Sequence, residues 1–410
     1  MSTAAHQFVS HFDGIDGLKK VKAQVSPPGS GEVLVEIHSV SLNYRDMEVI
    51  RGEYNHHRAI GQGPNIVPCS DMCGVVKNVG QDVTKWKVGD RVLSTFIPDH
   101  QTGQLTESAV SKGVGLPLPG VLATHRIFAD YALIKAPEHM SDQEASTLTI
   151  ASVTAWMGIN GMRPLGQNGG QDEYVLLQGT GGVGISALQI AKASGAKVII
   201  TSSSDEKLEL AKQLGADFRI NYRKAPDWEK SVMDVTKDHG ADIILETGGA
   251  ETILKSFQCA AYGGLINCIG YTSGKGSTTG DLPNINLLTL SKTLTLKGII
   301  NGPTDRFEEM CLRLMRPKRP SNFWRAGLTL ESWSFRSINR LHLQPWILIS
   351  WLVSDLNSFK CSPPVSVALA AQANEKQPCT IVYFYHVAID LIFALEILLY
   401  IEILRVPLCS

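Results

Sequence analysis

The chain has 410 residues, of which 44% are hydrophobic and 19% charged, as is typical of a globular protein with two domains. A formal net charge of −1 excludes the broad basic surface that steers nucleic acid, and no acidic tail is present. The eight cysteines form no paired CxxC motif, and the first residues lack the basic start and apolar run of a secretory signal. A reducing, cytoplasmic setting is therefore expected.

Short strands broken by glycine and proline dominate the first 140 residues. The segment EVLVEIHSVSLN places Val33, Val35 and Ile37 at alternate positions, as in a strand with one buried face. The segment GVVKNVGQDVTKWKVGDRVLSTF predicts two more strands, with a turn at Gly89 and Asp90. This part of the chain predicts an all-β, barrel-like unit.

From about residue 141 the pattern changes to alternating helices and strands. A helix is predicted to begin at a Ser141/Asp142 cap, with Glu144 placed for a capping box. Residues 176–224 read as strand, glycine turn, helix, strand and helix, and the segments ADIILETGG and GGLINCIGY predict further short strands. This alternation predicts an α/β fold with a parallel, doubly wound sheet.

A glycine turn follows the apolar strand YVLLQ and precedes the helix ISALQIAKASG. Its sequence, GTGGVG, places Gly179, Gly181 and Gly184 in the G-x-G-x-x-G register of a dinucleotide-binding turn. The first glycine suits a tight turn, the second a close approach of pyrophosphate, and the third the packing of the helix on the strand. The predicted phosphate-binding turn also contains Thr180, Gly182 and Val183.

The end of the next strand, KVIITSSS, indicates whether the protein binds NAD or NADP. An NAD-binding protein usually has an acidic residue there to bind the ribose 2′-hydroxyl, whereas this strand ends in Ser202 and Ser203. Asp205 is expected to cap the next helix, and Lys207 and Tyr222 follow. Hydroxyls and an ammonium group suit a 2′-phosphate, so we predict NADP(H), although a solvated lysine on a capped surface helix would give the same pattern.

The β-rich first half, the GTGGVG turn and the segment TSSSDEKLELAKQLGAD together resemble the medium-chain dehydrogenase/reductase superfamily. The segments NYRDMEVIRGEY, VPCSDMCGVV and KVGDRV are similar to its zinc-independent quinone oxidoreductase and enoyl reductase branches. The resemblance covers about residues 20 to 312. It implies a GroES-like catalytic domain over 1–150, a Rossmann NADP-binding domain over 151–300 and a return towards the catalytic domain over 301–315.

The resemblance also implies roles for individual residues. Asn43 and Thr154 would lie near the nicotinamide, and Tyr54 would line the substrate pocket. The positions that hold the 2′-phosphate in NADPH-dependent members correspond to Ser202, Lys207 and Tyr222. Ile269 and Gly270 would end the strand whose backbone faces the nicotinamide amide.

No zinc site is expected. A catalytic zinc requires three protein ligands and an open position, and zinc-dependent members have cysteine where this chain has Asn43, and His-Glu where it has Ser70-Asp71. Cys69 and Cys73 are interpreted as buried free thiols. The cysteine-rich lobe that holds a structural zinc in such members has no counterpart between residues 95 and 120.

These observations predict an NADPH-dependent oxidoreductase that transfers a hydride to an activated C=C bond or a quinone, with Tyr54 or water supplying the proton. Two alternatives stay open: an NADP-dependent alcohol dehydrogenase, and a non-catalytic NADPH-binding relative with a damaged substrate domain. The expected partner is a small-molecule substrate, and the resemblance suggests a homodimer.

Residues 316–410 do not resemble the end of a family member. We hypothesise that this tail derives from a shifted reading frame or a retained intron, because the periodicity is lost after about residue 315. The apolar run 381–404 is long enough to span a bilayer, but Asp390, Glu396 and Glu402 count against insertion. Association with a membrane through this run is the alternative to a cytoplasmic location.

Overall fold

The computed structural model describes residues 2–54, 65–274 and 284–314, which lie within one compact unit of the chain. The tail and its apolar run 381–404 lie outside the described residues. No helix in the described ranges is long and apolar enough to cross a membrane.

The first part of the described chain is mainly β-structure. Its elements are β1 (Thr3–Val9), β2 (Lys19–Val25), β3 (Glu32–Ser41), α1 (Tyr44–Ile50), β4 (Asp71–Val79), β5 (Arg91–Ser94), α2 (Glu107–Val110), β6 (His125–Ala129), β7 (Leu133–Lys135) and α3 (Asp142–Ser146). Strands β6-β3-β4-β5-β7 form an antiparallel five-stranded sheet, and β1 and β2 pair separately. Val33, Val35 and Ile37 are buried, as their alternation predicts, and the adjacent turn has Gly89 in the left-handed region with φ +93°.

The second part alternates helices and strands, as predicted. Its elements are α4 (Val153–Asn160), β8 (Tyr174–Gln178), α5 (Gly182–Ala193), β9 (Lys197–Ser202), α6 (Asp205–Gln213), β10 (Phe218–Asn221), α7 (Trp228–Thr236), β11 (Ala241–Glu246), α8 (Ile253–Cys259), β12 (Ala260–Cys268), α9 (Ile285–Ser291), β13 (Thr295–Gly298) and α10 (Thr304–Leu314). All the strand pairs of its sheet are parallel, in the order β10-β9-β8-β11-β12-β13. The strand order therefore reverses between β8 and β11, which is the switch point where Rossmann folds bind dinucleotides.

Both faces of the parallel sheet are covered, because successive side chains of a strand point to opposite faces. Val175 and Leu177 of β8 face one core, to which Leu188 of α5 and Met310 of α10 also belong. Leu176 faces a second core, together with Trp228 of α7. The strands that carry the proposed cofactor site are thus fixed from both sides.

The helix predicted to begin at Ser141 is present but interrupted. Ser141 caps α3: its hydroxyl accepts from Glu144 N at 3.2 Å, and Glu144 Oε2 accepts from Ser141 N at 2.8 Å. A π-helical segment, Leu148–Ser152, then separates α3 from α4. π-Helical turns are frequent at functional sites, and this one delivers Thr154 to the start of α4.

Candidate active site

The glycine turn joins β8 to α5 at the switch point. Gly179 has φ +84°, a left-handed conformation that favours glycine, and α5 begins three residues later. A Cβ on Gly184 would lie 2.1 Å from the carbonyl oxygen of Gly179, so only glycine lets α5 approach the strand this closely. The first N–H groups of the helix therefore border the end of β8, where a phosphate could be bound.

The residues predicted to hold a 2′-phosphate lie at the end of β9, directly after β10 and in the first turn of α6. Thr180 Oγ1 and Ser202 Oγ are 2.9 Å apart, and Tyr222 N donates to the carbonyl oxygen of Ser202 at 3.1 Å. Lys207 lies in the first turn of α6, where its N–H donates to Ser204 Oγ at 3.2 Å. Ser203 lies between these groups in the chain. Their role in cofactor binding stays a prediction.

The expected cap at Asp205 is wrong, because Ser204 caps α6 and Asp205 is its first helical residue. The carboxylate of Asp205 accepts a hydrogen bond from Asn221 Nδ2 at 2.7 Å and another from Lys224 Nζ. The acidic group nearest to the end of β9 in the chain is therefore paired within the protein.

The residues predicted to face the nicotinamide amide lie beside the end of β11. The amides of Ile269 and Gly270 donate to the carbonyl oxygen of Glu246 at 2.8 and 3.3 Å. Both residues lie just beyond Cys268, the last residue of β12, and not within the strand as expected. The strand therefore ends two residues earlier than expected.

Thr154 lies in the first turn of α4 and is buried. Its Oγ1 is 3.4 Å from Nδ2 of Asn301, which also donates to the carbonyl oxygen of Thr149 at 3.1 Å. Ser152 Oγ lies 3.0 Å from Ser186 Oγ, which places the start of α4 beside the first turns of α5. No local sequence pattern indicates that Asn301 contacts Thr154.

Asn43 precedes α1, and its N–H donates to the carboxylate of Asp46 at 2.8 Å. Its amide lies close enough to Asp71 to favour the ionised carboxylate. Asn43 Nδ2 is nevertheless buried and makes no hydrogen bond of good geometry within the described part of the chain. A buried donor of this kind suits contact with a bound molecule.

Two buried carboxyl groups lie near Asn43. Burial raises the pKa of Asp46 to about 6, and burial together with the charge of Asp46 raises the pKa of Asp71 to about 7. Burial, followed by the charges of the same two groups, also raises the pKa of Cys69 well above its usual range. The thiol is therefore protonated at neutral pH, in a region that disfavours additional negative charge.

Ser70 and Asp71, two of the three positions that correspond to zinc ligands in zinc-dependent members, are hydrogen-bonded within the protein. Ser70 Oγ donates to Asp71 Oδ1 at 2.8 Å, and Ile150 N donates to Asp71 Oδ2 at 2.9 Å. An amide, a hydroxyl and a single carboxylate lack the thiolate and imidazole ligands of zinc dehydrogenases, so this donor set does not fit the ion. Among residues 2–54, 65–274 and 284–314, no group of three or more His, Cys, Asp and Glu side chains could hold a metal ion.

Tyr54 follows the C-terminal end of α1, whereas Asn43 precedes its start, so the helix separates these two predicted site residues. The Tyr54 ring packs against Val49, and the Arg45 guanidinium lies 4.8 Å from the ring centroid. Arg45 also lies 4.7 Å from the centroid of the Phe96 ring. The tyrosine is thus fixed by apolar packing and by a cation–π contact.

Sequence reasoning missed two polar contacts at this site. Tyr271 Oη donates to Glu48 Oε2 at 2.6 Å and joins the loop after β12 to α1. Gln178 Nε2 donates to Glu246 Oε2 at 2.7 Å and joins the ends of β8 and β11. The second pair had a weak signal, since the apolar strands YVLLQ and ADIILE each end in a polar residue.

Comparisons with known proteins agree with this architecture. Residues 29–138 match the alcohol dehydrogenase GroES-like domain, and residues 182–316 match the zinc-binding dehydrogenase family. A zinc-type alcohol dehydrogenase-like protein of Schizosaccharomyces pombe is 37% identical over 309 residues, covering 75% of this chain and 87% of the relative. An acryloyl-coenzyme A reductase of Sulfurisphaera tokodaii is 30% identical over 264 residues, covering 62% and 73%.

A solved structure gives the same result. A Sinorhizobium meliloti protein named as an alcohol dehydrogenase superposes with a TM-score of 0.68 at 36% identity, covering 77% of this chain and 89% of that protein. The fold is therefore a GroES-like domain joined to a Rossmann-like domain with a parallel sheet. The chain belongs to the medium-chain dehydrogenase/reductase superfamily of oxidoreductases, whose members use a nicotinamide cofactor on small-molecule substrates.

Proposed function

We propose that the protein is an NADPH-dependent oxidoreductase that reduces an activated C=C bond or a quinone without zinc. The observation that carries this proposal is that Asn43, Ser70 and Asp71 offer no thiolate or imidazole ligand, and that Asp71 already accepts hydrogen bonds from Ser70 Oγ and Ile150 N. A carbonyl bound there would meet no Lewis-acidic zinc ion held by these side chains. This favours substrates that are already activated for hydride addition. The similarity to an acryloyl-coenzyme A reductase supports the same substrate class.

The polar groups at the end of β9 support NADPH as the cofactor. Ser202, Ser203 and Lys207 would offer hydroxyls and an ammonium group to a 2′-phosphate, and Tyr222 would border it. Asp205 is held by Asn221 and Lys224, which leaves its carboxylate less able to bind a ribose 2′-hydroxyl. Gly179 to Gly184 would supply the turn and backbone N–H groups for the pyrophosphate.

On this proposal the protein's own residues orient the reactants and deliver the proton. Bound NADPH would supply the hydride. Asn43 Nδ2 and the Thr154 hydroxyl would orient the nicotinamide, with the backbone of Ile269 and Gly270 facing its amide. The Tyr54 hydroxyl, or a water beside it, would give the proton to the carbon next to the activating group, and the phenolate would regain a proton from solvent.

The test is an NADPH oxidation assay on the full-length protein after treatment with a chelator. Small enones and quinones should be reduced, aldehydes should react poorly, and added zinc should not change the rates. Tyr54→Phe should lower kcat by about tenfold or more while the dissociation constant of NADPH stays the same. Tyr131→Phe is the matched control, since Tyr131 Oη donates to Asp99 Oδ1 at 3.2 Å on the exposed surface. Activity that is lost on chelation and restored by zinc would disprove the proposed mechanism.

An NADP-dependent alcohol dehydrogenase is the second candidate. The name of the relative from S. pombe, zinc-type alcohol dehydrogenase-like, favours it. Such an enzyme would need another stabiliser of the developing oxyanion in place of zinc. Reduction of NADP by secondary alcohols in the chelator-treated protein would support this candidate over the first.

A further inference from the structure

Glu246 is a buried carboxylate at the switch point, and its side chain accepts hydrogen bonds from the segment after β11, from α8 and its N-cap, and from the end of β8. Glu246 is the last residue of β11, and it is 1% exposed. Oε1 accepts from the amides of Gly248 and Gly249 at 3.0 and 2.9 Å and from Thr252 Oγ1 at 2.5 Å. Oε2 accepts from Gln178 Nε2 at 2.7 Å and from the Ser256 hydroxyl.

Gln178 extends this network to the strand that leads into the glycine turn. Its Oε1 accepts from the amides of Thr247 and Gly248, both at 3.2 Å, and its carbonyl oxygen accepts from Thr247 Oγ1 at 2.9 Å. Since Gln178 directly precedes Gly179, the two sides of the switch point share one set of hydrogen bonds.

The same network supports the loop that follows β12. The carbonyl oxygen of Glu246 accepts from Ile269 and Gly270, as described above. The carbonyl oxygen of Thr247 accepts from Thr272 N at 3.0 Å, and that of Gly248 accepts from Ser273 N at 2.8 Å. Residues 247–249 and 269–273 are therefore hydrogen-bonded to each other, and we call these two segments together the ledge. The Glu246 carboxylate accepts from two backbone amides of the first segment.

A buried carboxylate is costly unless its oxygens are satisfied, so its presence at this place requires a reason. Here five donors satisfy it, and an uncharged side chain could fill the space without that cost. Because two of the donors are backbone amides of the ledge, those of Gly248 and Gly249, the charge fixes the position of this backbone more firmly than a neutral acceptor would.

We propose that Glu246 is a positioning residue for the nicotinamide half of the dinucleotide. The inference rests on the proposed function, since it assumes NADPH at the switch point. The adenosine half would lie on the β8-β9-β10 side, which the ledge does not include. A change at Glu246 should therefore affect the two halves of the cofactor unequally.

The test compares two ligands on the full-length protein. NADPH carries both halves, whereas adenosine 2′,5′-bisphosphate carries only the phosphorylated adenosine. Glu246→Gln replaces one acceptor oxygen by an NH₂ group, which in either orientation would face groups that now donate to Glu246. We expect it to weaken NADPH binding by about tenfold or more and to leave binding of adenosine 2′,5′-bisphosphate within about twofold of the original protein.

A second variant and a control keep the test decisive. Thr252→Val removes one donor to Glu246 and should shift the ratio of the two affinities in the same direction by a smaller factor, and it decides the outcome if Glu246→Gln does not fold. Glu309→Gln is the control, because Glu309 also accepts from a side chain and a backbone amide, Trp156 Nε1 at 3.2 Å and Gly166 N at 2.7 Å, away from the ledge.

Equal losses for both ligands, or no loss in either variant, would overturn the assignment of Glu246 alone. If the unaltered protein bound neither ligand, the proposed function itself would fail, and the inference with it.

Discussion

A short hydrogen bond between Tyr271 and Glu48 links the two domains. Tyr271 follows β12 of the Rossmann-like domain, Glu48 lies on α1 of the GroES-like domain, and Oη lies 2.6 Å from Oε2. Burial, together with the Glu48 carboxylate, raises the pKa of Tyr271 above its usual range, so the phenol remains a donor at every pH at which the protein would be assayed. Tyr271 directly follows Gly270 in the chain. Glu48 lies in α1, the helix that Asn43 precedes and Tyr54 follows.

The first prediction concerns the coupling energy of this pair. Tyr271→Phe and Glu48→Gln should each lower the free energy of unfolding by about 1–3 kcal/mol, because the first removes the donor of this hydrogen bond and the second removes the charge of its acceptor. In urea denaturation the double variant should lose less than the sum, with a coupling energy of about 1 kcal/mol or more. Tyr131→Phe, at the exposed Tyr131–Asp99 contact, should change stability by less than about 0.5 kcal/mol. If the losses of the two single variants simply added in the double variant, the hydrogen bond would not couple Tyr271 to Glu48.

Gly184 provides a prediction about the glycine turn. Gly184→Ala would place Cβ 2.1 Å from the Gly179 carbonyl oxygen and should force α5 away from β8, at a cost of about 3 kcal/mol or more. The variant should also lose NADPH binding, measured by fluorescence titration below its unfolding temperature. Gly298→Ala is the matched control: a Cβ there has no atom within 4 Å, so stability should stay within about 0.5 kcal/mol. A well-folded Gly184→Ala protein with unchanged NADPH affinity would refute the proposed role of the turn.

The end of β9 leads to a prediction about nucleotide selectivity. Lys207→Met removes the ammonium group expected to bind the 2′-phosphate, so NADPH should bind about tenfold more weakly while NADH binding hardly changes. Lys212→Met lies on the same helix, where Lys212 pairs with Glu209 at 3.6 Å, and should leave both affinities unaltered. Equal effects on NADPH and NADH would mean that Lys207 does not distinguish the two cofactors.

Asp71 gives a prediction about pH. Its pKa is raised from 3.8 to about 7 in the folded protein, so the folded state binds more protons than the unfolded state between these values. Stability from this group is complete below its unfolded pKa and is lost as pH rises through the folded pKa. The stability of the original protein relative to Asp71→Asn should therefore fall by about 2–4 kcal/mol between about pH 4 and pH 8.

Denaturation of both proteins across this pH range measures the effect. Glu138→Gln is the control: Lys135 holds the pKa of the exposed Glu138 below its usual range, so its contribution is already complete above about pH 5. Parallel stability profiles for the original protein and Asp71→Asn would show that Asp71 is not perturbed by burial.

The local elements of the fold could be predicted from the sequence. The GTGGVG turn, the Ser141–Glu144 capping box and the alternating strands each depend on residues a few positions apart, which a pattern can show. The Asp205 cap was wrong because serine and aspartate cap helices about equally well, and the sequence SSSD offers both.

The connections across the fold could not be predicted in this way. Tyr271 and Glu48 are 223 residues apart, and Gln178 and Glu246 are 68 apart. Periodicity carries no information on such pairs, because they depend on how the strands are ordered in the sheet. The predicted roles of Asn43, Tyr54 and Thr154 depend on the family resemblance and stay predictions.

The transfer of deuterium from C4 of labelled NADPH to a small enone tests the central claim most directly. The full-length protein, treated with a chelator, would be incubated with both compounds and the product examined by mass spectrometry and NMR. The account predicts one deuterium on the β-carbon of a saturated ketone. Deuterium on the carbonyl carbon of an alcohol, or no transfer from NADPH to any acceptor, would contradict it.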